Sequence, residues 1–98
     1  MKFSFASNKL RDLYEEEKGA RRYPPQVVGG FFEVMDFIDN ASNESDLYAL
    51  ASLHYHKLKG DRKHQRALNL TGKYRLIVER VSVESEIELE IVDIEDYH

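Results

Sequence analysis

Ninety-eight residues are enough for one compact domain and too few for two. Hydrophobic residues make up 42% and charged residues 33%, with two prolines, a balance that excludes a disordered tail and a membrane protein. The absence of cysteine excludes a disulfide-stapled scaffold and a thiolate zinc site, and a net charge of −4 taken alone argues against a nucleic-acid binder.

Met1-Lys2-Phe3-Ser4-Phe5 leads into charged residues without the apolar run of a signal peptide or a membrane span, so the protein is expected to stay in the cytoplasm, with no membrane partner. Phe3 and Phe5 alternate with polar neighbours as in a short half-buried strand. Ser7 or Asn8 then suits a helix N-cap, and Leu10, Leu13 and Tyr14 at i, i+3, i+4 predict a first helix over about 8–18, closed by Gly19. Pro24 and Pro25 fit the first turn of a second helix, whose apolar face holds Val27, Val28, Phe31, Phe32, Met35 and Ile38. That stripe is core rather than a cofactor pocket. Gly29-Gly30 weakens the second helix by about 1 kcal/mol per glycine, which points to close packing against the first helix there.

Residues 40–45 have loop composition, and Leu47, Leu50 and Leu53 anchor a short helical turn or an irregular segment. Residues 66–70 and 74–80 flank Thr71-Gly72-Lys73 and read as a hairpin. In residues 86–94, Glu86, Glu88 and Glu90 alternate with Ile87, Leu89 and Ile91, placing one face of a third strand on the core. The expected fold is a single α+β domain over residues 1–98: two N-terminal helices packed on a mainly antiparallel sheet.

The charge is unevenly spread. Residues 54–80 carry eight Lys and Arg against two acids, while residues 81–98 carry seven acids and no Lys or Arg. This asymmetry is that of a local anion-binding face on an acidic body, or of charges paired across facing strands. Three polar clusters follow: His54-Tyr55-His56-Lys57-Leu58-Lys59-Gly60 before the hairpin, Arg75 in its second strand, and Asp96-Tyr97-His98. Phosphodiester cleavage needs cations on the phosphate and groups that move protons, roles that Lys, Arg, His and Tyr can fill. RNA supplies its own nucleophile in the 2′-hydroxyl, and His54 and His56 alone are a weak metal motif, so no metal or cofactor is expected.

The run from Leu53 to Lys63, the segment Gly72-Lys73-Tyr74-Arg75-Leu76 and the close Asp93-Ile94-Glu95-Asp96-Tyr97-His98 resemble the HigB toxins of type II toxin–antitoxin systems, in the RelE/ParE superfamily. His56, Lys59, Gly60, Arg75, Asp96, Tyr97 and His98 match in order and spacing, and the resemblance covers the chain from about Leu47 onward. The chain differs in its acidity and at His64-Gln65-Arg66, where relatives often carry an aromatic.

The resemblance implies a RelE-like fold and a ribosome-dependent mRNA endonuclease working by 2′-hydroxyl attack. It implies Lys59 and Arg75 on phosphate charge, His56 orienting substrate or moving a proton, Tyr97 and His98 as acid or base, and Asp96 tuning a neighbour. Clustering alone makes Lys57, Arg62, Lys63, Arg66 and Lys73 docking charges for RNA, including ribosomal RNA, and leaves His54 and His64 as surface residues. The resemblance further implies a HigA-type helix-turn-helix antitoxin as partner. The competing expectation is a catalytically silent module acting through a protein, either an antitoxin or a gyrase-type target.

Overall fold

The computed structural model describes residues 1–97. In chain order it contains β1 (Phe3–Phe5), α1 (Asn8–Glu16), α2 (Pro25–Asn40), α3 (Glu44–Ala49), β2 (His56–Lys57), β3 (Gln65–Thr71), β4 (Tyr74–Val83) and β5 (Glu86–Asp96). Single 3-10 turns lie at Ala20–Arg22, Ala51–Leu53 and Gly60–Arg62. The strands form one sheet in the order β1-β5-β4-β3-β2, antiparallel throughout except where β1 runs parallel to β5. The expected α+β layer is therefore present, with α3 as a third helix formed by the segment around Leu47.

Local chemistry sets the element ends. Ser7 is the N-cap residue of α1, in extended backbone, and the helix closes earlier than expected, at Glu17 (φ 54°) rather than Gly19. The Glu17 and Lys18 amides donate to Leu13 and Asp12 carbonyls, so a left-handed glutamate satisfies the last turn. Pro25 opens α2, where a missing donor costs nothing. Asn43 caps α3, its Oδ1 accepting from the Ser45 amide at 2.9 Å. The β3–β4 connection is the two residues Gly72-Lys73, with Gly72 at φ 54°.

The helices cover one face of the sheet. Leu10 and Leu13 of α1, Val27, Phe31, Val34, Met35 and Ile38 of α2 and Leu47 of α3 are buried against Leu68, Leu76, Val78, Leu89, Ile91 and Ile94. Gly30 explains the weak spot in α2, although its neighbour is not α1: a Cβ there would lie 2.9 Å from the Leu70 carbonyl oxygen of β3, whereas Gly29 has open space. The expected packing against the first helix is corrected to packing against the sheet. Glu44 of α3 ties that helix to the sheet, accepting from Tyr55 Oη at 2.8 Å and pairing with Arg80 at 2.9 Å. Burial and then this bond raise the Tyr55 pKa, keeping the phenol a donor.

The opposite face of the sheet carries no helix. Its buried apolar cluster is small: Leu58, Ala67 and Ile77 with Val92 against them. β5 has a bulge: Val78 pairs with Ile91 while Ile77 pairs with Asp93, leaving Val92 extra. Before the bulge Leu89 and Ile91 face the core, and after it Ile94 does. The extra residue reverses the phase of the strand and turns Glu95 and Tyr97 onto the helix-free face. Among the described residues no helix is long and apolar enough to cross a membrane.

Candidate active site

The helix-free face concentrates the polar groups. Asn69, Arg75 and Glu95 lie directly opposite one another on β3, β4 and β5. Arg75 Nη2 donates to Glu95 Oε1 at 2.7 Å. Arg62, from the 3-10 turn before β3, places its fork on the same carboxylate, with Nη1 to Oε1 at 3.0 Å and Nη2 to Oε2 at 2.8 Å. Tyr97 lies across the top: its ring covers the Arg75 guanidinium at 4.5 Å, and its hydroxyl donates to Asn69 Oδ1 at 3.3 Å. Its amide donates to the Lys73 carbonyl at 2.8 Å, extending the ladder one residue past β5.

Arg62 Nε also donates to Gln65 Oε1 at 3.0 Å, and Gln65 Nε2 donates to Glu79 at 3.1 Å, so the network crosses three strands. Two guanidiniums on one carboxylate form a charge-assisted cluster with a net charge of one cation. Arg62 first, and Arg75 after it, hold the Glu95 carboxyl down to about 2 against the opposing effect of partial burial. The Arg62 guanidinium is reciprocally raised, chiefly by Glu95.

The expected site residues are distributed as follows. Arg75 and Tyr97 meet in the cluster, and Arg62, expected at the docking periphery, is one of its two cations. His56 pairs with Ala67 on β2, which puts it on the helix-free face in the row next to Arg75. Its Nδ1 is 2.7 Å from the His54 carbonyl oxygen, and the two histidine rings lie 4.4 Å apart. Asp96 pairs with Tyr74 and alternates onto the other face of β5 from Glu95 and Tyr97. Lys59 precedes the 3-10 turn of Arg62 and is exposed, as are Lys57, Lys63 and Lys73.

Arg66 differs: its Nε donates to Tyr48 Oη at 3.2 Å and lies 3.7 Å from Glu44, with its side chain largely covered on the helix side. It links α3 to the sheet and is not an open docking charge. His98 lies outside the described residues. Sequence reasoning missed Glu95, Asn69 and Gln65. Glu95 stands inside the quoted Asp93–His98 run, but strict alternation from Glu86 assigns it to the core side.

The profile of the family described as RelE-like toxin of type II toxin-antitoxin system HigB matches residues 3–98. The chain belongs to this family of RelE-like, HigB-type toxins, and the match takes in the N-terminal helices as well as the segments that carry the resemblance. No curated protein matches the sequence. Among solved structures, the YoeB/ParE toxin from Agrobacterium tumefaciens is 17% identical with a TM-score of 0.57, covering 100% of both chains. The YoeB-YefM complex from Staphylococcus aureus contains a chain 16% identical at a TM-score of 0.60, over 100% of this chain and 97% of that one. YafQ from E. coli strain BL21(DE3) is 14% identical at 0.56, over 96% and 90%. At such identities these neighbours speak for the fold, which is that of RelE-type toxins.

Proposed function

We propose that this toxin is an endoribonuclease that cleaves messenger RNA on the ribosome, the RNA's own 2′-hydroxyl attacking the adjacent phosphate. The observation that carries this reading is the convergence of Arg62 and Arg75 on a single anion beneath Tyr97. An RNA phosphate has the charge and paired oxygens that such forks accept. In the scissile complex Arg75 stabilises charge on the phosphate, with Lys59 reaching in from the neighbouring turn. Tyr97 and His98 supply the acid and base, histidine being suited to move protons near neutrality. His56 orients the substrate, and Asp96 tunes a neighbour from the other side of β5. The exposed Lys57, Lys63 and Lys73 dock ribosomal RNA. A HigA-type helix-turn-helix antitoxin is the proposed partner.

One observation favours the second reading, a catalytically silent module that works through a protein: Arg75 is covered by Tyr97 and already engaged by Glu95. Adding the purified toxin to a translating cell-free extract and mapping mRNA 5′ ends by primer extension separates the two. The expected result is new ends in ribosome-engaged message, none in naked RNA, and a loss of about 10²–10³-fold in Arg75→Ala, the usual effect of removing one transition-state charge donor. Absence of cuts with folded, antitoxin-free protein sinks the nuclease reading and leaves the binding module.

A further inference from the structure

We infer that Glu95 is a built-in stand-in for the substrate phosphate, holding Arg62 and Arg75 in phosphate-binding geometry in the free toxin and competing with RNA for them. The inference rests on the endoribonuclease reading and adds to it a residue that sets RNA affinity.

The contacts make Glu95 an occupant as much as a support. Its two oxygens take three donors: both terminal nitrogens of Arg62 at 3.0 and 2.8 Å, and Nη2 of Arg75 at 2.7 Å. Without an anion between them the two guanidiniums would repel, so the carboxylate is what lets both cations face one point. A phosphodiester likewise carries one negative charge on two non-bridging oxygens, and it would satisfy the same forks. It cannot use all of these donors while Glu95 does.

Exposure gives the direction of approach. The Arg62 side chain is 37% exposed and Glu95 30%, whereas Arg75 is 15% exposed beneath the Tyr97 ring. An RNA phosphate therefore meets Arg62 first and gains Arg75 as Glu95 withdraws. One Arg75 donor is not used by Glu95, since its Nε is buried and has no hydrogen-bond partner among the described residues. The bulge at Val92 is the device that puts the glutamate there, because in an unbroken strand residue 95 would face the core.

The test measures binding of a fluorescent, uncleavable 2′-O-methyl oligoribonucleotide by anisotropy at several salt concentrations. Glu95→Gln keeps the shape and removes the competing charge. It is expected to bind about 10-fold more tightly than wild type, the effect of freeing a hydrogen bond to a charged group. The log–log salt slope should steepen by up to about 0.7, one further phosphate neutralised on a single strand. Glu95→Gln combined with Arg62→Ala should lose the gain.

If wild type binds and Glu95→Gln binds equally or less tightly, competition is overturned while the RNA reading stands. If neither protein binds at low salt, the inference falls, and the nuclease reading is decided separately by the 5′-end mapping in the translating extract. Should Glu95→Gln fail to fold, wild-type toxin with 13C-labelled glutamate carboxyls gives the same answer. The Glu95 resonance must move as oligonucleotide binds, and a resonance that stays in place during binding overturns the inference.

Discussion

Glu95 accepts from two arginines at once, and the consequence for stability has a definite sign. Its folded pKa, about 2, lies below its ordinary value of 4.5, so the ion cluster stabilises the fold fully above about pH 4.5. That contribution is lost as pH falls toward 2. With about a third of the side chain exposed, solvent screening leaves a contribution on the order of 1–2 kcal/mol. Urea unfolding of wild type and Glu95→Gln across pH 7 to 2 should show the variant less stable by that amount at neutrality. The gap should close below pH 4.5 and vanish near pH 2, whereas a constant gap would show that the ionised carboxylate is not what stabilises. Arg75 has a second tie in the Tyr97 ring 4.5 Å away, so it is held by the ring as well as by the carboxylate.

At the level of elements, the two adjacent glycines of α2 make opposite forecasts. Gly30 faces the Leu70 carbonyl, and an added methyl would come within 2.9 Å of backbone that cannot yield cheaply, so Gly30→Ala should destabilise by about 1–3 kcal/mol. Gly29 is exposed with nothing near it, so Gly29→Ala should stabilise by up to about 1 kcal/mol through helix propensity. Thermal unfolding of the two variants decides, and equal effects would contradict the packing described.

The same elements mark how far the sequence could be read. Pro24 and Pro25 announce the start of α2, and the Glu and Ile alternation announces β5, because one buried face forces a period of two. Beyond Ile91 that logic misleads, since the bulge exchanges the faces and moves Glu95 out beside Arg75. The end of α1 at Glu17 and the two-residue β2 were not legible either: a left-handed glutamate has no compositional signal, and two residues show no period. Arg75 and Tyr97 were legible through the family resemblance alone, and their contact with Arg62, distant along the chain, only through the fold.

Across the whole molecule, the two faces of the sheet have separate tasks. One is closed by helices and holds the core; the other presents a polar network over a thin apolar patch. A net charge of −4 is compatible with a cationic site because Arg62 and Arg75 converge on the helix-free face, where one carboxylate offsets only one of the two charges. The strand order has a consequence for synthesis. β5 follows every other strand in sequence yet lies between β1 and β4, so an interior position of the sheet is filled only when its final strand has been made.

Nascent chains arrested before Glu86 should be degraded rapidly by protease, while chains carried past residue 96 on a flexible tether should resist; resistance of the shorter chain would refute this dependence. The late arrival of β5 also acts as a timer. A growing chain has Arg62 and Arg75 before it has the strand that carries their shared carboxylate, so the two guanidiniums can meet only after Glu95 has been added and β5 has paired.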